Sequence, residues 1–199
     1  MPPTAPKTRP TRGLGARAPR RVERIVLTGF MGSGKSTVGR SLAQRLDWRF
    51  ADLDSIIEQR EGRAVSRIFA ESGETIFRAL ENEALISSLQ ESLLVVALGG
   101  GALETPANRH ALGGASRTRT ILLTASFDVL YARCQQQIIA AADSPLPVRP
   151  LLGDREAAAA RLALRDANYR AMAHHILDTT SQQPEESVEA LLALLERRL

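Results

Sequence analysis

The sequence predicts a three-layer α/β/α domain on a five-stranded parallel sheet, and three observations carry that expectation. An apolar run at 25–28 leads directly into Gly29-Phe30-Met31-Gly32-Ser33-Gly34-Lys35-Ser36-Thr37, with a helix-forming stretch behind it. Short apolar runs then alternate with longer amphipathic stretches, the pattern of strands joined by crossover helices. Two of those runs close on Asp52-Leu53-Asp54 and Gly99-Gly100-Gly101, at the strand ends where open α/β sheets bind ligands.

The first element explains its own letters. Gly29, Gly34, Lys35 and Ser36 fit G-x-x-x-x-G-K-[ST], the phosphate-binding P-loop. Glycines let backbone N–H groups turn inward around an anion, and the following helix adds the positive end of its dipole. Lys35 can reach the β- and γ-phosphates, while the Ser36 hydroxyl can serve Mg²⁺. Met31 is read as packing against the sheet.

The strand at 24–28 is followed by a helix over 37–46, with Val38, Leu42, Ala43 and Leu46 on one face. Residues 48–51 form a second strand. The acidic pair after it has two readings: Asp52 holding a metal-bound water with Asp54 facing a hydroxyl substrate, or Asp54 capping a helix over 55–60. Residues 61–83 read as parts of two helices broken at Gly73, the second spanning 74–88. Arg78 and Glu81 stand at i, i+3, either as a surface ion pair or as an arginine oriented to grip an anion.

A third strand covers 93–98. No aspartate closes it, unlike the Walker-B strand of many ATPases. A fourth strand covers 120–124, a helix 127–134, and a loop with Pro145, Pro147 and Pro150 runs into Arg149-Pro150-Leu151-Leu152. A mobile arginine-bearing segment here suits a lid over phosphates. A helix at 155–173, a fifth strand at 175–178 and a closing helix at 184–199 complete the reading. His110, His174 and His175 are too scattered for a metal cluster.

Composition bounds the function. The 199 residues, 44% hydrophobic and 24% charged, suit one soluble globular domain. No apolar run approaches the ~18–20 residues that cross a bilayer. Cys134 is the sole cysteine, which excludes an internal disulfide and fits a reducing compartment. The net charge of +4 suggests nucleic acid, yet residues 1–22 carry six cations and no acid, leaving −2 on the other 177. That proline- and arginine-rich tail is expected to be disordered, since it has little apolar surface to bury. Targeting or weak polyanion contact is the functional reading, and a solvated extension the plainer one.

Taken together, the P-loop, the Asp52-Leu53-Asp54 pair, the Phe69…Gly73-Glu74…Phe77-Arg78…Glu81 run, the glycine triplet, Arg149-Pro150-Leu151-Leu152 and Arg165…Tyr169 resemble the shikimate kinases over residues 23–199. The resemblance implies an adenylate-kinase-like P-loop fold with a single kinase domain over 23–199. Its small insertions would be a substrate-binding part at about 52–83 and a lid at about 135–153. It implies transfer of the ATP γ-phosphoryl to the 3-hydroxyl of shikimate, on the route to chorismate and the aromatic amino acids.

By position, Gly32, Ser33, Gly34, Lys35, Ser36 and Thr37 would cradle ATP, with Ser36 binding one Mg²⁺ and Asp52 nearby through water. Asp54 would bind shikimate hydroxyls and act as base. Arg78 and Arg165 would hold the carboxylate, Glu81 would orient Arg78, and Gly100 would lend a backbone N–H. Arg149 would close over the phosphates, and Gln182 would lie on the adenine side. Fifteen residues separate Arg133 from Arg149, several more than the family carries. The resemblance further implies a cytoplasmic monomer with small-molecule partners and neither nucleic-acid nor membrane contact.

The rivals are weaker. A gluconate kinase would share the P-loop but lack the two-arginine grip with the glycine triplet. A GTP switch would need Asn-Lys-x-Asp, and no Asn-Lys pair occurs. A nucleic-acid module would set its basic residues among aromatics, which are only 4% of this chain.

Overall fold

A computed structural model describes residues 22–140 and 154–196. Five strands, β1 (Arg24–Thr28), β2 (Arg49–Asp52), β3 (Leu94–Ala97), β4 (Thr118–Thr124) and β5 (His175–Asp178), form one parallel sheet in the order β2-β3-β1-β4-β5. The expected five-stranded parallel α/β/α architecture is therefore the observed one. β2 and β3 lie on one side of β1, and β4 and β5 on the other, so the chain reverses direction of travel about the strand that feeds the P-loop.

The strands are apolar on both faces because both faces are covered. Successive side chains alternate between two cores. Val26, Val96 and Leu122 join Leu53, Ile57, Phe77, Leu85 and Tyr169 on one side, beneath α2 (Leu53–Glu61), α3 (Val65–Ser88) and α6 (Arg155–Met172). Ile25, Leu27, Val95, Ile121 and Leu123 join Leu42, Val188 and Leu191 on the other, beneath α1 (Lys35–Leu46) and α7 (Pro184–Glu196). Met31 packs against the first core, as expected. At the amino edge the buried Arg24 is fully occupied: it donates to Thr118 Oγ1 at 3.0 Å, Glu91 O at 2.8 Å and Ser116 O at 2.5 Å.

Several boundaries differ from the sequence reading, each for a local reason. Asp52 ends β2 and its Oδ1 accepts from Asp54 N–H at 3.2 Å, so Asp52 caps α2, and Asp54 sits inside the first turn rather than opening the helix. α3 does break at Gly73, whose φ and ψ are 80° and 170°. A 3₁₀ turn (Ala102–Glu104) and α4 (Pro106–Gly114), unread in the sequence, follow the glycine triplet. α5 (Phe127–Ala140) runs six residues beyond 134, so the start of the expected lid at 135–140 is helix. The rest of that lid, 141–153, lies outside the described residues, as does the tail 1–21. Val22, counted with the tail in the sequence, is buried in the second core. No described helix is long and apolar enough to cross a membrane.

Candidate active site

Because the strands are parallel, all five carboxyl ends open on one edge, and the residues singled out in sequence gather there. The loop after β1 is shaped by glycine. Gly32 has φ 76°, and a Cβ on it would stand 2.3 Å from the Leu130 carbonyl oxygen and 2.9 Å from Cys134 Sγ. Only glycine meets both conditions. α1 starts at Lys35, so its first N–H groups face the loop from the helix N-terminus, with Ser36 and Thr37 exposed on that turn. Lys35 Nζ donates to Gly29 O at 2.8 Å and Phe30 O at 3.0 Å, which folds the ammonium over the loop. Ser36 Oγ donates to Asp52 Oδ2 at 2.7 Å, tying the P-loop helix to the end of β2.

A second cluster flanks the glycine triplet. A Cβ on Gly99 would lie 2.7 Å from Asp54 Oδ1 and 3.2 Å from Glu81 Oε1; one on Gly101 would lie 2.7 Å from Arg78 Nη2. At Gly100 it would lie 3.6 Å from Arg165 Nη1 and 3.9 Å from Met31 N. The triplet thus stands between the P-loop and a group of two cations and three carboxylates, and at Gly99 and Gly101 it is close enough that a Cβ would displace them.

Arg78 is clasped from three directions: Glu81 Oε2 accepts from Nη1 at 2.9 Å, Glu74 Oε1 from Nη2 at 3.0 Å, and Glu104 Oε2 lies 3.6 Å away. With Glu81 only 1% exposed, the pair Arg78–Glu81 is no solvated surface bridge. Burial pushes the Glu81 carboxyl up to about 7, against the opposing pull of Arg78. Asn108 Nδ2 also reaches Glu81 Oε2, at 3.3 Å.

Arg165, from α6, is 7% exposed and donates to Glu104 Oε2 at 2.6 Å. Tyr169, one turn on, donates its hydroxyl to Gly100 O, and burial raises that hydroxyl to about 12. Four buried side-chain atoms have no hydrogen-bond partner among the described residues: Thr28 Oγ1, Ser33 Oγ, Glu81 Oε1 and Arg165 Nε. All four line this carboxyl edge. Buried polar atoms are rarely left unpaired, and here they fall on the P-loop strand, the P-loop and the two sides of the charged cluster.

Gln182 and Arg133 both bond to Thr179, just after β5. Arg133 donates to Thr179 Oγ1 at 3.1 Å and Thr179 O at 2.7 Å, while Gln182 Oε1 accepts from Ser187 Oγ at 3.0 Å. Arg149 lies outside the described residues. His174 Nδ1 accepts from Thr120 N–H at 3.0 Å, a structural role, and no group of three metal-ligating side chains occurs among the described residues. Sequence reasoning missed Glu104 and Asn108. Glu104 was within reach of it, an acid just beyond a strand-end glycine triplet; Asn108 carried no signal, being an apparently ordinary polar residue that tertiary packing buries completely.

A family model described as shikimate kinase matches residues 31–196. A shikimate kinase of Geobacter metallireducens is 41% identical over 181 residues, covering 91% of this chain and 96% of the relative. One of Geobacter sulfurreducens is 42% identical over 164 residues, covering 82% and 86%. The solved shikimate kinase of Acinetobacter baumannii in complex with shikimate superposes with a TM-score of 0.79 at 30% identity, over 89% of this chain and 95% of that one.

Proposed function

The chain belongs to the shikimate kinase family, and from that membership we propose how its residues divide the work of phosphorylating shikimate. The activity is transfer of the ATP γ-phosphoryl group to the 3-hydroxyl of shikimate, releasing ADP, within aromatic amino-acid biosynthesis. One observation carries the assignment of roles. Arg78 and Arg165, from separate helices, converge on a single carboxylate oxygen beside Asp54 and Gly100, next to the P-loop.

Shikimate is a compact polyol with one carboxylate, and two guanidiniums suit such an anion by charge and by planar donor geometry. Arg165 Nε, buried without a hydrogen-bond partner among the described residues, is a donor left to be satisfied. Glu81 holds Arg78 in place, and the Gly100 N–H adds a neutral contact. Asp54 binds the ring hydroxyls and takes the 3-hydroxyl proton onto its carboxylate as the phosphoryl group transfers. Gly32, Ser33, Gly34, Lys35, Ser36 and Thr37 cradle the ATP phosphates, with Lys35 following the charge on the transferring group. Gln182 lies on the adenine side. Arg149 adds a cation from the lid, which on closing keeps water from competing as acceptor.

Ser36 Oγ is a hard oxygen donor of the kind Mg²⁺ takes alongside water and nucleotide phosphates, and Asp52 Oδ2, 2.7 Å from it, would hold a metal-bound water. Bound there, the ion would neutralise phosphate charge. The enzyme is read as a cytoplasmic monomer acting on small molecules alone.

A coupled ADP-release assay with ATP and Mg²⁺, run on shikimate and separately on gluconate, tests the reading. Turnover is expected on shikimate only. Turnover on gluconate instead would overturn the arginine grip as the basis of selection while leaving the P-loop assignments in place.

A further inference from the structure

Glu104 has no assigned part in the reaction, yet it occupies the most informative position in the site. One oxygen of its carboxylate, Oε2, lies 2.6 Å from Arg165 Nη2 and 3.6 Å from Arg78 Nη2. It therefore holds the same two guanidiniums that are read as gripping the substrate carboxylate. A carboxylate approaching the Nη2 atoms of that pair meets the one already there.

The surroundings of Glu104 separate a fixed backbone from a free side chain. Its N–H donates to Gly101 O at 2.9 Å, and Arg109 donates to the carbonyls of Leu103 at 2.5 Å and Glu104 at 2.9 Å. Asn108, wholly buried, pins the start of the turn through Ala102 O at 2.8 Å. The Glu104 side chain, by contrast, is 41% exposed, against 7% for Arg165 and 18% for Arg78. The carboxylate therefore borders water, while the turn that carries it is held by its own hydrogen bonds.

We infer that Glu104 is a specificity-determining residue, an internal carboxylate that the carboxylate of shikimate must displace from Arg78 and Arg165. A polyol with no carboxylate brings nothing to replace the two charged contacts, so it leaves Glu104 in place and the ring pocket narrowed. Shikimate exchanges one carboxylate for another and adds the unpartnered Arg165 Nε as a donor. Selectivity for an anionic ligand is obtained at the expense of absolute affinity, because only the fraction of molecules with Glu104 displaced is competent to bind.

The inference rests on the reading of Arg78 and Arg165 as the carboxylate grip, and the experiment keeps the two apart. Shikimate and ATP binding are measured by calorimetry on the full chain and its Glu104→Gln, Glu104→Ala and Arg78→Ala variants, with thermal denaturation alongside. Glu104→Gln keeps the side-chain shape without the charge and is the deciding variant. Its shikimate Kd is expected to fall roughly two- to five-fold, as expected when a competing ion pair with a half-exposed carboxylate is removed. Its kcat/KM for shikimate should rise in parallel, and its ATP Kd should hold within about two-fold. A purely structural role for Glu104 would move shikimate affinity the other way. An unchanged or weaker shikimate Kd in Glu104→Gln, with denaturation unaltered, overturns the inference. Undiminished shikimate binding in Arg78→Ala overturns the underlying grip, whatever Glu104 does.

Discussion

Glu81 shows what a single buried charge contributes and when. The i, i+3 spacing from Arg78 was legible in the sequence, because it depends only on helix geometry. The burial was not, because it comes from the triplet on one side and the wholly buried Asn108, carried on α4, on the other. Asp54 was likewise readable beside Asp52 just past a strand, whereas Glu104, which bridges the arginines, depends on a 3₁₀ turn that no periodicity announces. Burial lifts the Glu81 carboxyl from 4.5 to about 7. A carboxyl raised in the folded state binds its proton more tightly there than in the unfolded chain, so protonation favours folding. That contribution is complete below the ordinary value near 4.5 and is lost as pH rises through about 7. Glu81→Gln does not titrate. Between pH 5 and pH 8 the wild-type chain is therefore expected to lose about 2–3 kcal/mol of stability relative to Glu81→Gln. Urea denaturation at the two pH values measures the gap, and an identical gap at both would refute the buried, proton-holding carboxyl.

At the scale of elements, helices and strands were legible wherever apolar periodicity ran long, and their ends were legible where a breaker stood. β1 and β5 were read with their observed bounds, and Gly73 was read as the break in α3. α5 overran its expected end because 135–140 contain no glycine, proline or capping signal to stop it. α4 escaped notice although Thr105-Pro106 is a fair start signal, since only nine residues follow before Ala115. The break at Gly73 matters because Arg78 rides on the segment beyond it. Its backbone, at φ 80° and ψ 170°, lies where residues with a Cβ are strained, yet a Cβ there would meet no atom within 4 Å. Gly73→Ala therefore isolates backbone strain from steric clash. The expected cost is roughly 1–3 kcal/mol of stability, read by urea denaturation. Shikimate affinity should fall more than ATP affinity, since Arg78 moves and the P-loop does not. Unchanged stability would mean that the helix simply straightens through the break.

For the whole molecule, the parallel sheet decides where chemistry can occur, because it brings the ends of all five strands to one edge and leaves the amino edge to structural contacts such as those of Arg24. The charge distribution follows the same division. Six cations precede Val22, while the remainder of the chain is slightly acidic overall. The nucleotide and shikimate assignments use no residue before Gly32, so residues 1–21 are expected to be dispensable for catalysis. The boundary is sharp. Val22 is 6% exposed and packs in the second core with Ile25, Leu27 and Leu195. Deleting 1–21 is expected to leave kcat/KM within about two-fold of the full chain, since none of the assigned roles falls on those residues and salt screens exposed charges beyond roughly 10 Å. Deleting through Val22 removes a buried aliphatic side chain and is expected to cost on the order of 1–2 kcal/mol, by loss of apolar burial. Steady-state kinetics and thermal denaturation of the two truncated chains side by side test both statements. Lost activity at unchanged thermal stability on removal of 1–21 would show that the arginine-rich segment reaches the phosphates. Equal stability of the two truncations would show that Val22 contributes nothing to the core.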